Sequence, residues 1–412
     1  LIAIIVVILA ETVGLWFLYN KMVIAPDRMT AAVCTYHLSI LTAVFSLTQV
    51  PYNAVIIAHE RMSIYAYMSI FEVSAKLGIC YLLTLVDYDK LILYASLLFI
   101  VQLLVMLFYR LYCTKNFKEA RFSMTFDEIV FKEIARFSGW SMFANTAMAL
   151  NSQGILVLLN IFFSPAVVAA RAISLQVNMA ANQFVTNFRQ AANPQIVKKY
   201  ASGDYEGSKK LLLQSTKFSF FMMLMIALPV CVLAKPLLTL WLGLVPDYTV
   251  SFLQLVVIQS LFQVFDTSFY TALYAKGQLK ENALISPTFL FVCFPIIYWL
   301  FKIGCSPLAL SWASLLTYVI LAIVVKPLLI IKIVDYKWSE IWQVFKPCIW
   351  VSIVSIPFPV YLSIIVDTSN SVNFILVALI TVLVVVISSY YIGLNKEVRN
   401  KLQKIILSKI RR

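Results

Sequence analysis

The chain has 412 residues, of which 62% are hydrophobic and 13% charged, and it carries a net charge of +14. A water-soluble domain would have about a quarter charged residues, so this balance excludes an ordinary soluble protein and points to a polytopic helical membrane protein. Seven cysteines without a CxxC pair, two histidines (His37 and His59), and ten glycines without a G-x-G-x-x-G or G-x-x-x-x-G-K-[ST] pattern give no zinc site, redox pair, nucleotide-phosphate loop or cofactor to expect.

In chain order, apolar runs divided by polar or proline-containing breaks predict spans at 1–19, 31–58, 62–86, 89–114, 134–163, 165–190, 211–235, 249–275, 280–303, 307–331, 343–366 and 372–394. Their lengths suit helices crossing hydrocarbon, which takes about 20 residues. Residue 1 is a Leu already inside an apolar run, so no signal peptide is visible and the sequence reads as beginning in mid-protein. Lysine and arginine then fix the sidedness. One set of loops and the tail carry 26 of them, the opposite set 5, and Lys76 and Arg171 lie within spans. The richer side is expected to be cytoplasmic, with the C-terminus on it. The tail "NKEVRNKLQKIILSKIRR" reads as a basic amphipathic helix on the inner leaflet. The positive charge is thereby explained by membrane lipids, with no nucleic acid partner.

A shift of 217 residues brings spans 1–19, 31–58, 62–86 and 89–114 close to 211–235, 249–275, 280–303 and 307–331. The spans 134–163 and 165–190 then need counterparts before residue 1, so two N-terminal helices are expected to be missing. The predicted fold is all-α and polytopic, with twelve of fourteen transmembrane helices in two pseudo-repeated lobes. Residues 1–114 form an incomplete N-terminal lobe, the last four of six helices. A cytoplasmic linker follows at 115–133, then a six-helix lobe at 134–331, two further helices at 332–394 and the basic tail at 395–412.

Polar residues form stripes on two spans. Arg171, Ser174, Asn178, Asn182, Thr186, Arg189 and Asn193 fall within a third of the helix circumference, flanked by Gln176, Gln183, Asn187 and Gln190. Span 31–58 repeats the pattern with Thr35, Ser39, Thr42, Ser46, Gln49 and Asn53. Isolated amides often join neighbouring helices, but stripes over five turns predict a shared hydrated interior. Arg171, at the start of its span, either serves that interior or snorkels to the interface. Among charges within spans, Glu11 has no assigned role, and Glu72 and Lys76 at i and i+4 suit mutual neutralisation. Asp266 has no basic partner within four residues on its helix; it is either a coupling-cation or proton site or a packing carboxyl. Pro51, Pro229, Pro287, Pro295 and Pro357 lie inside spans as hinges or fixed bends.

Three stretches, "QVPYNAVIIAHERMSIYAYMSIFE" (49–72), "RQAANPQIVKKYASGDYEGSKKLLLQSTKFSFF" (189–221) and "LTLWLGLVPDYTVSFLQL" (238–255), resemble the bacterial Wzx-type polysaccharide flippases, particularly those of Bacteroidetes-like organisms. These belong to the MATE-like MOP superfamily. The resemblance implies two six-helix lobes around a V-shaped cavity and, without enzymatic activity, alternating-access movement of an undecaprenyl-pyrophosphate-linked oligosaccharide across the inner membrane. The product would serve surface polysaccharide such as O-antigen, lipopolysaccharide or capsule. It implies pyrophosphate binding by Arg171, Arg189 and Lys76, since guanidinium groups pair phosphate oxygens. Sugar contacts would come from Asn178, Asn182, Gln183, Asn187, Thr42, Ser46, Gln49 and Asn53, and ion coupling, to H+ or Na+, from Asp266 and Glu72. Partners would be the lipid-linked substrate, membrane lipids, and a polysaccharide polymerase with chain-length proteins. One rival is an ion-coupled multidrug exporter of MATE type, which would favour an acidic, aromatic cavity. The other is a membrane polymerase or acyltransferase, whose large catalytic loops have no counterpart in the His-free segments 110–134 and 190–211.

Overall fold

The computed structural model describes residues 2–59, 61–86, 88–120, 153–368, 370–394 and 399–400, together with 128, 132, 146 and 149. Every regular element among them is helical. Most of the predicted span 134–163 and of the linker and tail lies outside the described residues. The chain divides into two compact units, Leu1–Phe131 and Lys132–Arg412.

In the first unit the N-terminal span is helix α1 (Ile2–Leu9), a π-turn (Ala10–Gly14) and helix α2 (Leu15–Asn20). Then come α3 (Met29–Ala58), α4 (Met62–Leu85) and α5 (Lys90–Asn116). Asp89 starts α5 as its N-cap, accepting from the amides of Leu91 at 3.0 Å and Ile92 at 3.2 Å, and it pairs with Arg28 at 2.7 Å. The Ile92 amide first, then Leu91 and Arg28, hold its carboxyl below the usual carboxylate range. Helix α3 packs chiefly along α5, around a small core of Ile56, Met68, Val105, Tyr109 and Cys113.

The second unit holds α6 (Ile155–Phe162), α7 (Pro165–Ala201), α8 (Tyr205–Val232), α9 (Ala234–Leu242), α10 (Thr249–Ala275) and α11 (Leu279–Lys302). It continues with α12 (Ala309–Ile320), a π-turn (Leu321–Val325), α13 (Lys326–Val334), α14 (Trp338–Ser355), α15 (Pro357–Ile365) and α16 (Ser371–Ser388). Helix α7 opens on Pro165, where the missing N–H costs nothing, and runs for 37 residues, about 55 Å. Its core lies against α8 and α10, where Phe265 meets Phe345 at 4.9 Å and Phe220 at 5.2 Å between ring centroids. Gly393 closes this side: a Cβ there would stand 2.5 Å from the Phe221 ring, and Phe221 is buried. Gly393→Ala should therefore lower stability by about 1–3 kcal/mol through overpacking, measured as a reduced unfolding midpoint in detergent.

Among the described residues ten helical segments are long and apolar enough to cross a membrane. Helix α7 falls outside that set through its polar residues, although it is the longest helix described. Of the five prolines within spans, only Pro357 interrupts a helix, between α14 and α15, where it supplies no amide to the helix before it. Pro51, Pro229, Pro287 and Pro295 ride inside α3, α8 and α11.

The repeat is written in the helix ends. Adding 217 to the bounds of α3, α4 and α5 gives 246–275, 279–302 and 307–333; the observed segments are Thr249–Ala275, Leu279–Lys302 and Ala309–Val334. Lys326, counted among the loops, differs from expectation: it lies deep in the span Ala309–Val334 and is buried.

Candidate functional site

In the second unit the arc expected to be wet is the packed face of α7. Arg171 is 5% exposed; its Nη1 donates to Ser311 Oγ at 3.2 Å, and its guanidinium lies over the Phe252 ring at 5.7 Å. One turn further, Ser174 donates to its own Ala170 carbonyl at 2.7 Å and approaches Thr249 O at 3.4 Å. Asn178 Oδ1 accepts from Ser260 Oγ at 2.8 Å, and Asn182 Nδ2 donates to the same hydroxyl at 3.1 Å. Arg189 Nη2 donates to the Thr267 carbonyl and reaches Thr271 Oγ1 at 3.5 Å. Asn193 Oδ1 accepts from Thr271 at 3.4 Å. The arc is a polar seam joining α7 to α10 and α12, the arrangement by which membrane helices satisfy buried polar groups.

The exposed polar groups of α7 lie elsewhere. Gln176, Gln183, Asn187 and Gln190 are all exposed, and at 100° per residue they make one line along the helix, about 140° round from Arg171. Gln183 Nε2 donates to Asn187 Oδ1 at 2.9 Å. Thr186 is exposed beside them. Of the residues assigned to sugar on this helix, Gln183 and Asn187 therefore face outward, whereas Asn178 and Asn182 face the seam.

In the first unit the α3 hydroxyls turn back on their own helix. Ser39 donates to Thr35 O at 2.8 Å, Thr42 to Leu38 O at 2.7 Å and Ser46 to Thr42 O at 3.1 Å. Gln49 alone in this stripe reaches a neighbour among the described hydrogen bonds: its Oε1 accepts from Gln102 Nε2 on α5 at 2.9 Å. Asn53 is half-buried, and its Oδ1 has no hydrogen-bond partner among the described residues. Glu72 and Lys76 pair at 2.6 Å on the outward side of α4.

Asp266 has a partner that the search along its own helix could not find. Lys326 Nζ stands 3.1 Å from Asp266 Oδ1, with a side chain 2% exposed, and 5.8 Å from the centroid of the Tyr270 ring. The π-turn Leu321–Val325 ends at Lys326, and Pro327 follows it. Such bulges re-aim the residues beside them. Asp266 lies nine residues from the end of α10, about 13 Å along its axis, so the pair is well inside the span. On the 217-residue shift Gln49 is the counterpart of Asp266 (49 + 217 = 266). Both repeats thus use this position for a polar contact to the third helix of the group, amide to amide in one and carboxylate to ammonium in the other. Sequence reasoning also missed Ser260, Ser311, Thr267 and Thr271, whose spacing on α10 and α12 is too sparse to stand out. For Lys326 there was a signal, since the predicted span 307–331 already enclosed it.

The sequence matches no protein-family model, and no curated protein matches it. Among solved structures, the lipid II flippase MurJ in its inward closed conformation aligns over 93% of this chain and 79% of that one, with a TM-score of 0.72 and 12% sequence identity. The fold is that of MurJ. At this identity the likeness is one of architecture.

Proposed function

We propose that this chain is a flippase that carries a lipid-linked oligosaccharide across the cytoplasmic membrane by alternating access, as the Wzx-type resemblance implies. The observation that carries this reading is the exposed amide line on α7, Gln176, Gln183, Asn187 and Gln190, within a fold shared with a lipid II flippase. Amides offer both donors and acceptors, which sugar hydroxyls need, and the apolar tail can remain in lipid while the polar head crosses. The pyrophosphate is assigned to Arg171, Arg189 and Lys76. Each holds a protein partner (Ser311, Thr267 with Thr271, and Glu72), so phosphate oxygens take the place of those partners during transport. Asn178 and Asn182 contact sugar when the seam to Ser260 parts, and in the first unit sugar contacts are assigned to Thr42, Ser46, Gln49 and Asn53. Ion coupling is assigned to Asp266, where a proton or cation competes with the Lys326 ammonium, and to Glu72. The reading makes the protein a transporter rather than an enzyme, with its C-terminus cytoplasmic.

The pairing of acids weighs against a multidrug exporter. Among the described residues, the carboxylates in the interior of the apolar spans are Glu11, Glu72 and Asp266; Glu72 and Asp266 pair with lysine ammonium groups at 2.6 and 3.1 Å, and Glu11 lies 3.0 Å from the His37 imidazole. A site for organic cations needs an acid without a resident partner. The test is complementation of a strain lacking its own flippase. Gln183→Leu with Asn187→Leu should reach wild-type protein levels in the membrane and export about tenfold less surface polysaccharide, the loss of one or two sugar hydrogen bonds. Full export by that variant would remove the amide line from the mechanism.

A further inference from the structure

The first unit contains a carboxylate–imidazole contact deep in a span. Glu11 occupies the π-turn Ala10–Gly14, eight residues from one end of the span Ala3–Asn20 and nine from the other, so it lies about 12–14 Å from each end. His37 Nδ1 on α3 stands 3.0 Å from Glu11 Oε1. The surroundings hold the two together. Tyr36 Oη donates to the Ala10 carbonyl at 2.7 Å, anchoring α3 on the π-turn beside Glu11. Gly14 makes room for that phenol, because a Cβ there would fall 2.0 Å from Tyr36 Oη. A widened turn, a glycine notch and a tyrosine anchor thus converge on one carboxylate–imidazole contact.

The two elements that meet here add few other charges. Besides the pair, the titratable groups on α3 are Cys34, Tyr36 and Tyr52, and on the first span Tyr19; neither element contains Lys, Arg or Asp. Of the other helices packed on α3, α5 carries Lys90 and Tyr94 towards one end and Tyr109, Arg110, Tyr112, Cys113 and Lys115 towards the other, and the charges on α4 are the Glu72–Lys76 pair. With neutral imidazole and ionised carboxylate the charge of the Glu11–His37 pair is −1, and one added proton makes it zero, whichever of the two groups holds it. A lone charge at this depth is strongly disfavoured in hydrocarbon and tolerated once water reaches it. The side chains of His37 and Glu11 are 43% and 38% exposed, so neighbouring helices do not enclose the pair.

We propose that Glu11 and His37 form a one-proton binding site in the first unit, occupied when the site is shut off from water and emptied when it is hydrated. Its use in driving transport rests on the flippase reading; the proton site itself does not. Histidine NMR tests it directly, because the chain has two histidines, His37 and His59. His59→Gln leaves His37 as the sole imidazole signal in the full chain in lipid nanodiscs. In that background Glu11→Gln should displace the His37 titration midpoint, and Glu11→Asp should displace it less. Equal midpoints in all three proteins would overturn the shared site. If Glu11→Gln does not fold, the Glu11→Asp shift decides alone. In proteoliposomes, Glu11→Gln should flatten the dependence of glycolipid flipping on an imposed pH gradient. Flipping by Glu11→Gln that responds to the gradient as wild type does would overturn the link to transport. A chain that titrates as expected and flips nothing would defeat the flippase reading while leaving the proton site standing.

Discussion

Replacing Lys326 with Met should lower the unfolding free energy of the purified protein by about 3–5 kcal/mol, the range for removing one partner of a buried ion pair. The Lys326 side chain is 2% exposed and that of Asp266 15%, so water cannot take over from the missing ammonium. Arg189 is the other cation whose charge couples to Asp266, but it is engaged with Thr267 and Thr271. Asp266→Asn should destabilise by a comparable amount, leaving the buried ammonium without its carboxylate. The double variant Asp266→Asn, Lys326→Met should recover most of the loss, because a pair replaced by neutral groups of similar volume is often tolerated. Guanidinium or thermal unfolding followed by size-exclusion chromatography reads all three. Wild-type stability in Lys326→Met would show that the pair contributes nothing to the fold. The same double variant separates stability from coupling: if it is stable and still flips glycolipid, transport should no longer respond to ion gradients at this site.

Arg171 carries the second large effect. Arg171→Ala removes the hydrogen bond to Ser311, the guanidinium over the Phe252 ring and the buried stem, and should cost about 3 kcal/mol. Arg171→Met keeps a stem of similar length and should recover about half of that. The pair of variants splits packing from chemistry. With the guanidinium serving pyrophosphate, export per folded molecule should fall about tenfold or more in both variants, the loss of one charge-assisted hydrogen bond. Wild-type export by Arg171→Met would leave Arg171 as a seam residue and pass the pyrophosphate to Arg189.

Much of the architecture was legible in the sequence because it depends on local rules. The ends of α4 at Met62 and Leu85 and of α11 at Leu279 and Lys302 follow from turn residues and apolar run lengths, and they reproduce the 217-residue repeat. Which polar face is wet was not legible. Arg171, Ser174 and Asn178 of the better-ordered arc are buried against α10 and α12 and Asn182, Arg189 and Asn193 half-buried there, while Thr186 is exposed and Gln176, Gln183, Asn187 and Gln190 take the outside. A helical stripe records that polar groups share a face; a neighbouring helix supplying Ser260, Thr267 and Thr271 satisfies such a stripe as well as water does. Tertiary partners were hidden for the same reason. Asp266 and Lys326 are 60 residues apart (326 − 266) and His37 and Glu11 are 26 apart, beyond the reach of any search along one helix.

The most direct measurement uses the purified chain in sealed liposomes that contain a radiolabelled undecaprenyl-pyrophosphate oligosaccharide in both leaflets. A membrane-impermeant glycosidase added outside cleaves only sugars on the outer leaflet. A flippase brings the inner-leaflet lipid to the enzyme, so cleavage should run to completion in vesicles holding the protein and stop at the outer-leaflet fraction in vesicles without it. Cleavage that stops at the same fraction in both, with correctly folded protein present, would contradict glycolipid flipping by this chain.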